Sequence, residues 1–475
     1  MSFPGLSALR PTSRLAALGA LTLLSACGGG PPGGAAAPGG APAPTGGDLS
    51  RRGDLAFQSD PVRIWQSMGL LASGQPIPIV AGISFLPGPV ADTAYALVAI
   101  SIPSIAMTFT REGDRYAGGY EVIVEARRGE TVIARVDAKE TVRVAAFRET
   151  QRTEESVVFQ QVVPIPAGDA IVALQLRDAG SPRSVTMEKA VVVPRFTAGR
   201  LGSPVVALEA EPRTTRAAPP AVTASPRQTL QFGSDEAIPL YLEMADAPAG
   251  DLPVQLLVRT AEGSVLWRDS TRLTKRGTIA SDVVRVPLPR IGVGLLNAIA
   301  WTPGSTDSVR TAVLVNFGDD LPVASLDEMV SYLRFFAPAR TLTELRNPDP
   351  GKRAEAWLAF LRSTDPIGST PQHEGLRDYF RRIRFANERF REDAAAGWLS
   401  DRGSAYVAFG EPDQVLDQGG MVNNNIGQRG RMQAWDYVDL RLRLIFVDQN
   451  GFGRWRFTVQ SAGDFDSALR RRLNP

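Results

Sequence analysis

The chain has 475 residues, of which 52 are Lys or Arg and 50 are Asp or Glu, so its formal net charge is +2. This length exceeds one ordinary hydrophobic core and predicts several domains. The near-neutral balance disfavours a nucleic-acid-binding protein, whose affinity rests on clustered basic residues. One cysteine rules out an internal disulfide. The chain also has only one histidine, so a zinc site is disfavoured, and we expect no metal or cofactor.

The first 27 residues have the pattern of a bacterial export signal. Arg10 and Arg14 precede an apolar run, Leu15 to Leu24, that is too short to span a bilayer as a stable helix. The run leads into Leu-Ser-Ala-Cys27, which resembles the lipobox of bacterial lipoproteins, in which the cysteine is acylated and becomes the first residue. Cys27 is therefore the predicted lipidation site, and its acyl chains would anchor the protein to a membrane.

The residues after the cysteine predict the membrane in which the protein is located and a flexible tether. Cleavage would remove two basic residues and no acid, which leaves 50 basic and 50 acidic residues in a neutral mature chain. Gly28 stands where an aspartate would be the familiar signal for retention in the inner membrane, so we expect the outer membrane, on its periplasmic or its external face. Residues 28–54 are rich in Gly, Pro and Ala and predict a flexible tether.

Two β-sandwich domains are predicted next, at residues 55–200 and 227–318, because apolar residues alternate in short β-branched runs. In the first domain these runs predict strands at 77–85, 95–102, 120–126, 131–137, 157–163, 170–176 and 185–193. In the second they predict strands at 228–232, 238–244, 254–259, 265–273, 283–288, 295–302 and 309–315. The number and spacing of the strands indicate immunoglobulin-like sandwiches. Residues 201–226, with Pro219-Pro220, predict a linker.

A helical segment is predicted at residues 325–396. Ser325 and Glu328 form the pattern of a capping box at the start of its first helix. A second helix is predicted to begin at Pro350 and to stop before Asp365-Pro366, because a residue ahead of proline disfavours the helical conformation. The longest helix is predicted at 374–395, with Gly397 as its C-cap. Its arginines, together with Glu388 and Glu392, predict a solvated face.

Residues 397–475 predict a small α+β domain. Its strands are expected at 405–409, 433–438, 441–447 and 454–459. Asn450-Gly451 between apolar runs is a strong hairpin signal. The predicted fold class is therefore multidomain and mainly β, with two sandwiches, a helical segment and this C-terminal domain.

The stretch Gly397-Trp398-Leu399-Ser400-Asp401-Arg402-Gly403, hereafter the signature, closely resembles the bacterial GWxTD-domain family. Further matching residues are Tyr406, the turn Gly410–Asp413, Trp435, Tyr437 and Phe446-Val447-Asp448 ahead of Gly451. The resemblance covers residues 326–460. Ser400 replaces the threonine of the family pattern, and Gln433 stands where an acid is expected. The resemblance implies an exported, often lipid-anchored protein with β-sandwich regions ahead of the domain, and it implies no reaction.

The signature has a structural and a functional interpretation. In the structural one, Gly397 ends a helix, Trp398 fills the junction, Ser400 or Asp401 bonds backbone amides, and Gly403 allows a positive φ before a strand. In the other, the motif residues line a ligand site near the Gly-rich loop at 419–430. The candidate motif or ligand residues are Gly397, Trp398, Ser400, Asp401, Arg402, Gly403, Glu411, Asp413, Trp435 and Asp448.

Two functions remain open from the sequence. The first is a non-enzymatic binding or assembly module at the outer membrane, held there by Cys27, with a protein partner and no nucleic acid. The second is a hydrolase of envelope glycan or peptide that uses carboxylates near Asp401 and Glu411, because paired carboxylates can cleave a glycosidic bond. A catalytic site would need these acids in one cleft, whereas a structural role would place them on separate loops with backbone partners.

Overall fold

The computed structural model describes residues 61–151, 156–316, 326–346, 349, 352–369, 373–392, 396–422 and 429–474. The predicted signal peptide, the lipidation site Cys27, the tether and the capping residue Ser325 lie outside the described residues. Gly47–Pro475 belongs to one compact unit.

The first β-sandwich begins after helix α1 (Pro61–Ser67) and contains the short helix α2 (Phe147–Thr150). Its strands are β1 (Leu71–Ser73), β2 (Ile79–Pro87), β3 (Thr93–Pro103), β4 (Phe109–Glu112), β5 (Arg115–Arg128), β6 (Thr131–Val144), β7 (Ser156–Pro166), β8 (Gly168–Asp178) and β9 (Ser184–Val193). One sheet has the order β1-β2-β3-β7 and the other β4-β5-β8-β9, with β6 paired to β5. Alternate residues of the two sheets, such as Val98 and Val124, form the core between them.

The second β-sandwich follows directly. Its strands are β10 (Val205–Glu211), β11 (Ala221–Ala224), β12 (Thr229–Gln231), β13 (Ala237–Ala245), β14 (Leu252–Thr260), β15 (Val265–Leu273), β16 (Lys275–Arg276), β17 (Ile279–Pro287), β18 (Gly294–Trp301) and β19 (Val309–Asn316). The sheet orders are β11-β10-β13-β17-β16 and β12-β19-β18-β14-β15. The β12–β19 pair is parallel.

Both sandwiches share one topology. In the first, β2-β3-β7 lies in one sheet and β9-β8-β5-β6 in the other; in the second, the corresponding orders are β10-β13-β17 and β19-β18-β14-β15. This is the strand order of an immunoglobulin-like sandwich. The predicted mainly β fold with two such sandwiches is confirmed.

The segment predicted as a linker, residues 201–226, is instead part of the second sandwich. It contains β10 and β11, which pair with each other. Val205 and Ala207 of β10 pack against Leu97 and Ala99 on the outer face of β3. The linker prediction is wrong because the Pro-rich stretch is only the connection between two strands whose apolar residues join the sandwiches.

Four helices follow among the described residues: α3 (Leu326–Tyr332), α4 (Ala339–Arg346), α5 (Arg353–Thr364) and α6 (Glu374–Arg389). Helix α5 ends before Asp365-Pro366, as predicted. Helix α6 ends earlier than predicted, with Phe390 as its C-cap, so Gly397 does not cap it. The ring Nδ1 of His373 accepts a hydrogen bond from the Leu376 amide and thereby caps the other end of α6.

The helices share one hydrophobic core with the second sandwich and the C-terminal sheet. Trp357 of α5 is fully buried and belongs to the same cluster as Leu288 and Ile291 at the end of the sandwich and Trp398 of the signature. The helical segment therefore joins the sandwich to the C-terminal domain through packed side chains.

The C-terminal domain contains α7 (Asp401–Phe409), β20 (Gln414–Val422), β21 (Arg429–Tyr437), β22 (Leu442–Asp448), β23 (Arg456–Phe457) and α8 (Val459–Leu473). Its antiparallel sheet has the order β20-β21-β22-β23. The strand predicted at 405–409 is wrong, because these residues belong to α7 and bury Ala405, Val407 and Ala408 at helical spacing. The predicted strand at 454–459 is reduced to β23, since Thr458 caps α8 by accepting from the Ser461 amide.

Candidate functional site

The signature connects two helices. Gly397–Leu399 forms a 3-10 turn, and Ser400 is the N-cap of α7. The Ser400 hydroxyl accepts a hydrogen bond from the Gly403 amide at 3.0 Å and donates one to the Gly397 carbonyl at 2.8 Å. This cap explains why serine can replace the threonine of the family pattern, since both residues carry the required hydroxyl.

The two glycines of the signature are required by close approach of the backbone. A Cβ at Gly397 would lie 2.0 Å from the carbonyl oxygen of Ala386 in α6, and one at Gly403 would lie 1.8 Å from the carbonyl oxygen of Gly397. The predicted positive φ at Gly403 is wrong, because this residue lies inside helix α7. Both glycines instead let α6, the 3-10 turn and α7 pack at backbone contact.

Trp398 fills the junction, as predicted. Its side chain is fully buried, and its ring stacks on Tyr332 with centroids 4.9 Å apart. The Arg334 guanidinium lies 4.9 Å from the indole centroid. The Trp398 backbone amide donates to the Asn387 side chain at 3.1 Å. The indole N–H has no hydrogen-bond partner in the described part of the chain, so the ring acts there through packing.

The carboxylates of the candidate site bind backbone amides on three different segments. Asp401 accepts from the Phe457 amide of β23 at 2.7 Å. Asp413 accepts from the Val438 amide at 2.6 Å. Asp448 accepts from the Gly453 amide at 2.8 Å. Each acid therefore fixes a turn or a strand end, which is the arrangement that a structural role requires.

Glu411 is exposed in the turn after α7 and lies close to Tyr406. The pKa of the Tyr406 hydroxyl is raised, first by burial and then by the charge of Glu411. Among the described residues, no group of three or more His, Cys, Asp or Glu side chains could hold a metal ion.

Trp435 belongs to an aromatic cluster on the inner face of the sheet. Its ring lies 5.5 Å from Phe390 and 4.9 Å from Phe446, measured between centroids. The indole N–H donates to the Gln433 side-chain oxygen at 3.0 Å. Gln433, the departure from the family pattern, therefore supplies an uncharged acceptor where a carboxylate could accept the same bond.

Arg402 is held between two aromatic rings. Its guanidinium carbon lies 4.7 Å from the centroid of Trp455 and 5.3 Å from that of Phe390. The nearest carboxylate oxygen in an ion pair is that of Glu392, 3.9 Å from a guanidinium nitrogen. Burial lowers the pKa of Arg402, and the charge of Glu392 opposes this shift. Arg402 is therefore a packed side chain with cation–π contacts on two sides.

Glu392 is a site residue that the sequence did not reveal. It was expected on a solvated helix face, yet its side chain is only 4% exposed. Its carboxylate accepts from the Trp455 amide at 3.2 Å and from the Arg456 guanidinium at 2.8 Å. Burial raises its pKa, whereas these two bonds lower it. Because both partners lie more than 60 residues further along the chain, no local pattern signals this role.

The structure thus brings Arg402, Trp435 and Asp448 to one side of the C-terminal sheet, while Asp401 and Asp413 bond other strand ends. The charge of Asp448 raises the pKa of Arg402, against the larger effect of burial. Phe390 contacts both Arg402 and Trp435. The paired-carboxylate arrangement of a hydrolase has no support in these contacts. In the described residues, no helix has the length and apolar character needed to cross a membrane.

Comparisons with known proteins bear on the same region. A solved structure described as "Biofilm associated protein - BSP domain" aligns at 10% identity with a TM-score of 0.16, over 54% of each chain, so this chain spans about half the length of that structure. No curated protein matches the sequence. The family model of the GWxTD domain matches residues 303–428, which include β19, the helical segment and the signature. Residues 303–428 are therefore assigned to the GWxTD-domain family.

Proposed function

We propose that this chain is a non-enzymatic binding or assembly module of the bacterial cell envelope, anchored at the outer membrane by acylated Cys27. The observation that carries the non-enzymatic part is the use of Asp401, Asp413 and Asp448 as acceptors for backbone amides on separate segments. A hydrolase would need two carboxylates facing one substrate. The anchor is supported by the sequence around Cys27 and by the tether behind it.

The C-terminal sheet offers a surface for a protein partner. Strand β20 is at the edge of the sheet, where backbone groups can pair with another chain. Val415 and Leu416 on this strand are 50% and 46% exposed. Exposed apolar side chains beside an open strand edge favour association.

Photo-crosslinking in intact cells tests the binding role. A photoreactive amino acid replaces Leu416, and the matched control replaces Val265, which is 50% exposed on the edge strand β15 of the second sandwich. We expect a discrete adduct from position 416 and none from position 265. The adduct should disappear with Cys27→Ala, which also releases the protein from the membrane fraction. The same adducts at both positions, or full membrane retention of Cys27→Ala, would contradict the proposal.

The hydrolase alternative has its own readout. Purified protein is incubated with isolated cell-wall sacculi, and the soluble glycan and peptide fragments are measured. We expect no release above the protein-free control. Release that disappears with Asp401→Asn would favour the hydrolase instead.

A further inference from the structure

The loop between β22 and β23 holds an aromatic ring out in the solvent. Phe452 is 84% exposed and lies between Gly451 and Gly453, whose φ values are 72° and 83°. These left-handed conformations favour glycine and set the path of the loop. The Asp448 carboxylate closes the loop by accepting from the Gly453 amide at 2.8 Å. The conformation of this turn therefore places the Phe452 ring in solvent.

Three exposed arginines lie around this loop. Arg431 of β21 is directly opposite Asp448 in the sheet, and Arg454 and Arg456 follow the loop; all three arginines are exposed. The acids beneath them are buried, because Asp448 is 1% exposed and the Glu392 side chain 4%. Glu392 pairs with Arg456.

An exposed acid on the same sheet is Asp417 of β20. It pairs with Gln433, which is two residues beyond Arg431 on β21. Among the residues that the structure describes, Arg431 forms no ion pair. The loop end of the sheet thus combines a protruding aromatic ring with exposed arginine side chains, in a chain whose mature form is predicted to be neutral.

We propose that this loop, with Phe452 at its tip and Arg431, Arg454 and Arg456 around it, docks on the anionic headgroup surface of a lipid bilayer. An aromatic ring gains free energy when it leaves water for the headgroup region. Arginines beside it are attracted to lipid phosphates. The inference deepens the proposed function and rests on it for the nearness of a membrane. Charge complementarity between the exposed arginines and the lipid phosphates favours a lipid surface over a groove on another protein.

Vesicle co-sedimentation tests the docking without the lipid anchor. The protein used starts at Gly28, so that it lacks the signal peptide and Cys27 but keeps the whole compact unit Gly47–Pro475. The vesicles are pure phosphatidylcholine, or phosphatidylcholine with about 30% phosphatidylglycerol. We expect binding to the anionic vesicles that falls steeply with added salt, and little binding to the neutral ones.

Two variants and two matched controls locate the contact. Phe452→Ser should lower the partition coefficient about tenfold, and Arg431→Gln about fivefold. Phe147→Ser removes a ring that is 58% exposed on the first sandwich, and Arg340→Gln removes an arginine whose side chain is 91% exposed on α4. Both controls should bind as the unmodified protein does. Equal melting temperatures would show that all variants are folded.

Equal binding by Phe452→Ser and the unmodified protein, or no binding to anionic vesicles, would overturn the proposal. Loss of binding in both aromatic variants alike would also overturn it, because the effect would not belong to the loop. If binding to vesicles is absent and position 452 instead gives a protein adduct in cells, the loop contacts a protein. Failure of the Cys27 anchor would appear in cell fractionation and leave the vesicle result unchanged, so the two failures are distinguishable.

Discussion

The carbonyl oxygen of Gly397 lies 1.8 Å from the position that a Cβ atom would take at Gly403. The two glycines of the signature therefore touch each other across the turn that Ser400 caps. No other residue fits at position 403 without a shift of the backbone, because real Cβ contacts are essentially never shorter than 3.0 Å. This contact gives the glycines a packing role that needs no ligand.

Gly403→Ala should strongly destabilise the protein. The added methyl group must push the 3-10 turn away from α7, and we expect a loss of about 3 kcal/mol in the free energy of unfolding. Urea unfolding followed by tryptophan fluorescence measures this loss. Gly463→Ala is the matched control, since Gly463 lies in helix α8 with no atom within 4 Å of its Cβ position. The control should be neutral or stabilising by up to about 1 kcal/mol, and an equal loss in both variants would contradict the packing role.

Trp398→Ala should cost about 3–5 kcal/mol, because it leaves a cavity beside Tyr332 in a fully packed core. Trp398→Phe should cost clearly less, since the lost indole N–H has no partner among the described residues. Thermal melting of both variants distinguishes the two effects. Wild-type stability in Trp398→Ala would show that the ring is not a structural plug.

Arg213→Met should break the buried contact between the sandwiches. The guanidinium donates to Glu243 through Nε at 3.0 Å, and both side chains are at most 4% exposed. It also donates to the carbonyl of Pro87 in the first sandwich at 2.5 Å. Removal of one partner leaves an uncompensated buried charge, so we expect a loss of about 3–5 kcal/mol.

The double variant Arg213→Met with Glu243→Gln should recover part of that loss, because it removes the orphaned charge and keeps an acceptor for the Tyr241 hydroxyl, which donates to Glu243. The exposed pair Arg340–Glu344 provides the control, and Arg340→Met should change stability by less than about 1 kcal/mol. A double variant as unstable as Arg213→Met, measured by urea unfolding, would show that the buried charge is not the cause.

His373 should make stability depend on pH. Its Nδ1 accepts from the Leu376 amide, and its Nε2 is 2.9 Å from the Thr364 hydroxyl, so the cap needs a neutral ring. Burial lowers the pKa of His373, and the charges of Asp365 and Glu374 oppose that shift. Because the folded-state pKa is below the unfolded one, the unfolded chain takes up the proton first as the pH falls.

Stability contributed by this cap is therefore present above about pH 6.5 and is lost as the pH falls from there through the folded-state pKa. The loss should be comparable to that of one helix cap, about 1 kcal/mol. His373→Asn keeps a capping oxygen and does not titrate, so its stability should change less between about pH 7 and 5. Parallel pH profiles for the two proteins, from melting temperatures, would exclude His373 as the cause.

Much of the fold is readable from the sequence because its pattern is local. The alternating apolar residues of both sandwiches predict their strands, and Asp365-Pro366 predicts the end of α5. The predicted strands at 120–126 and 131–137 become β5 and β6, and the turn between them has Gly129 at a φ of 58°. In each case neighbouring residues in the chain decide the conformation.

The site was harder to predict because distant contacts decide it. The short apolar run from Ala405 to Phe409 fits a buried strand, and only the Ser400 cap and burial against α6 select the helix. The bond from the Phe457 amide to Asp401 spans 56 residues, and the one from Arg456 to Glu392 spans 64. Such pairings leave no local signal in one sequence.

The most direct test of the structural role of the signature is the stability of Asp401→Asn and Asp401→Ala, measured by urea unfolding. Asparagine keeps an oxygen that can accept from the Phe457 amide, whereas alanine leaves that amide without its partner. We predict near wild-type stability for Asp401→Asn and a loss of about 1–3 kcal/mol for Asp401→Ala. Wild-type stability in both variants, with a function that both abolish, would contradict the structural role and favour chemistry at Asp401.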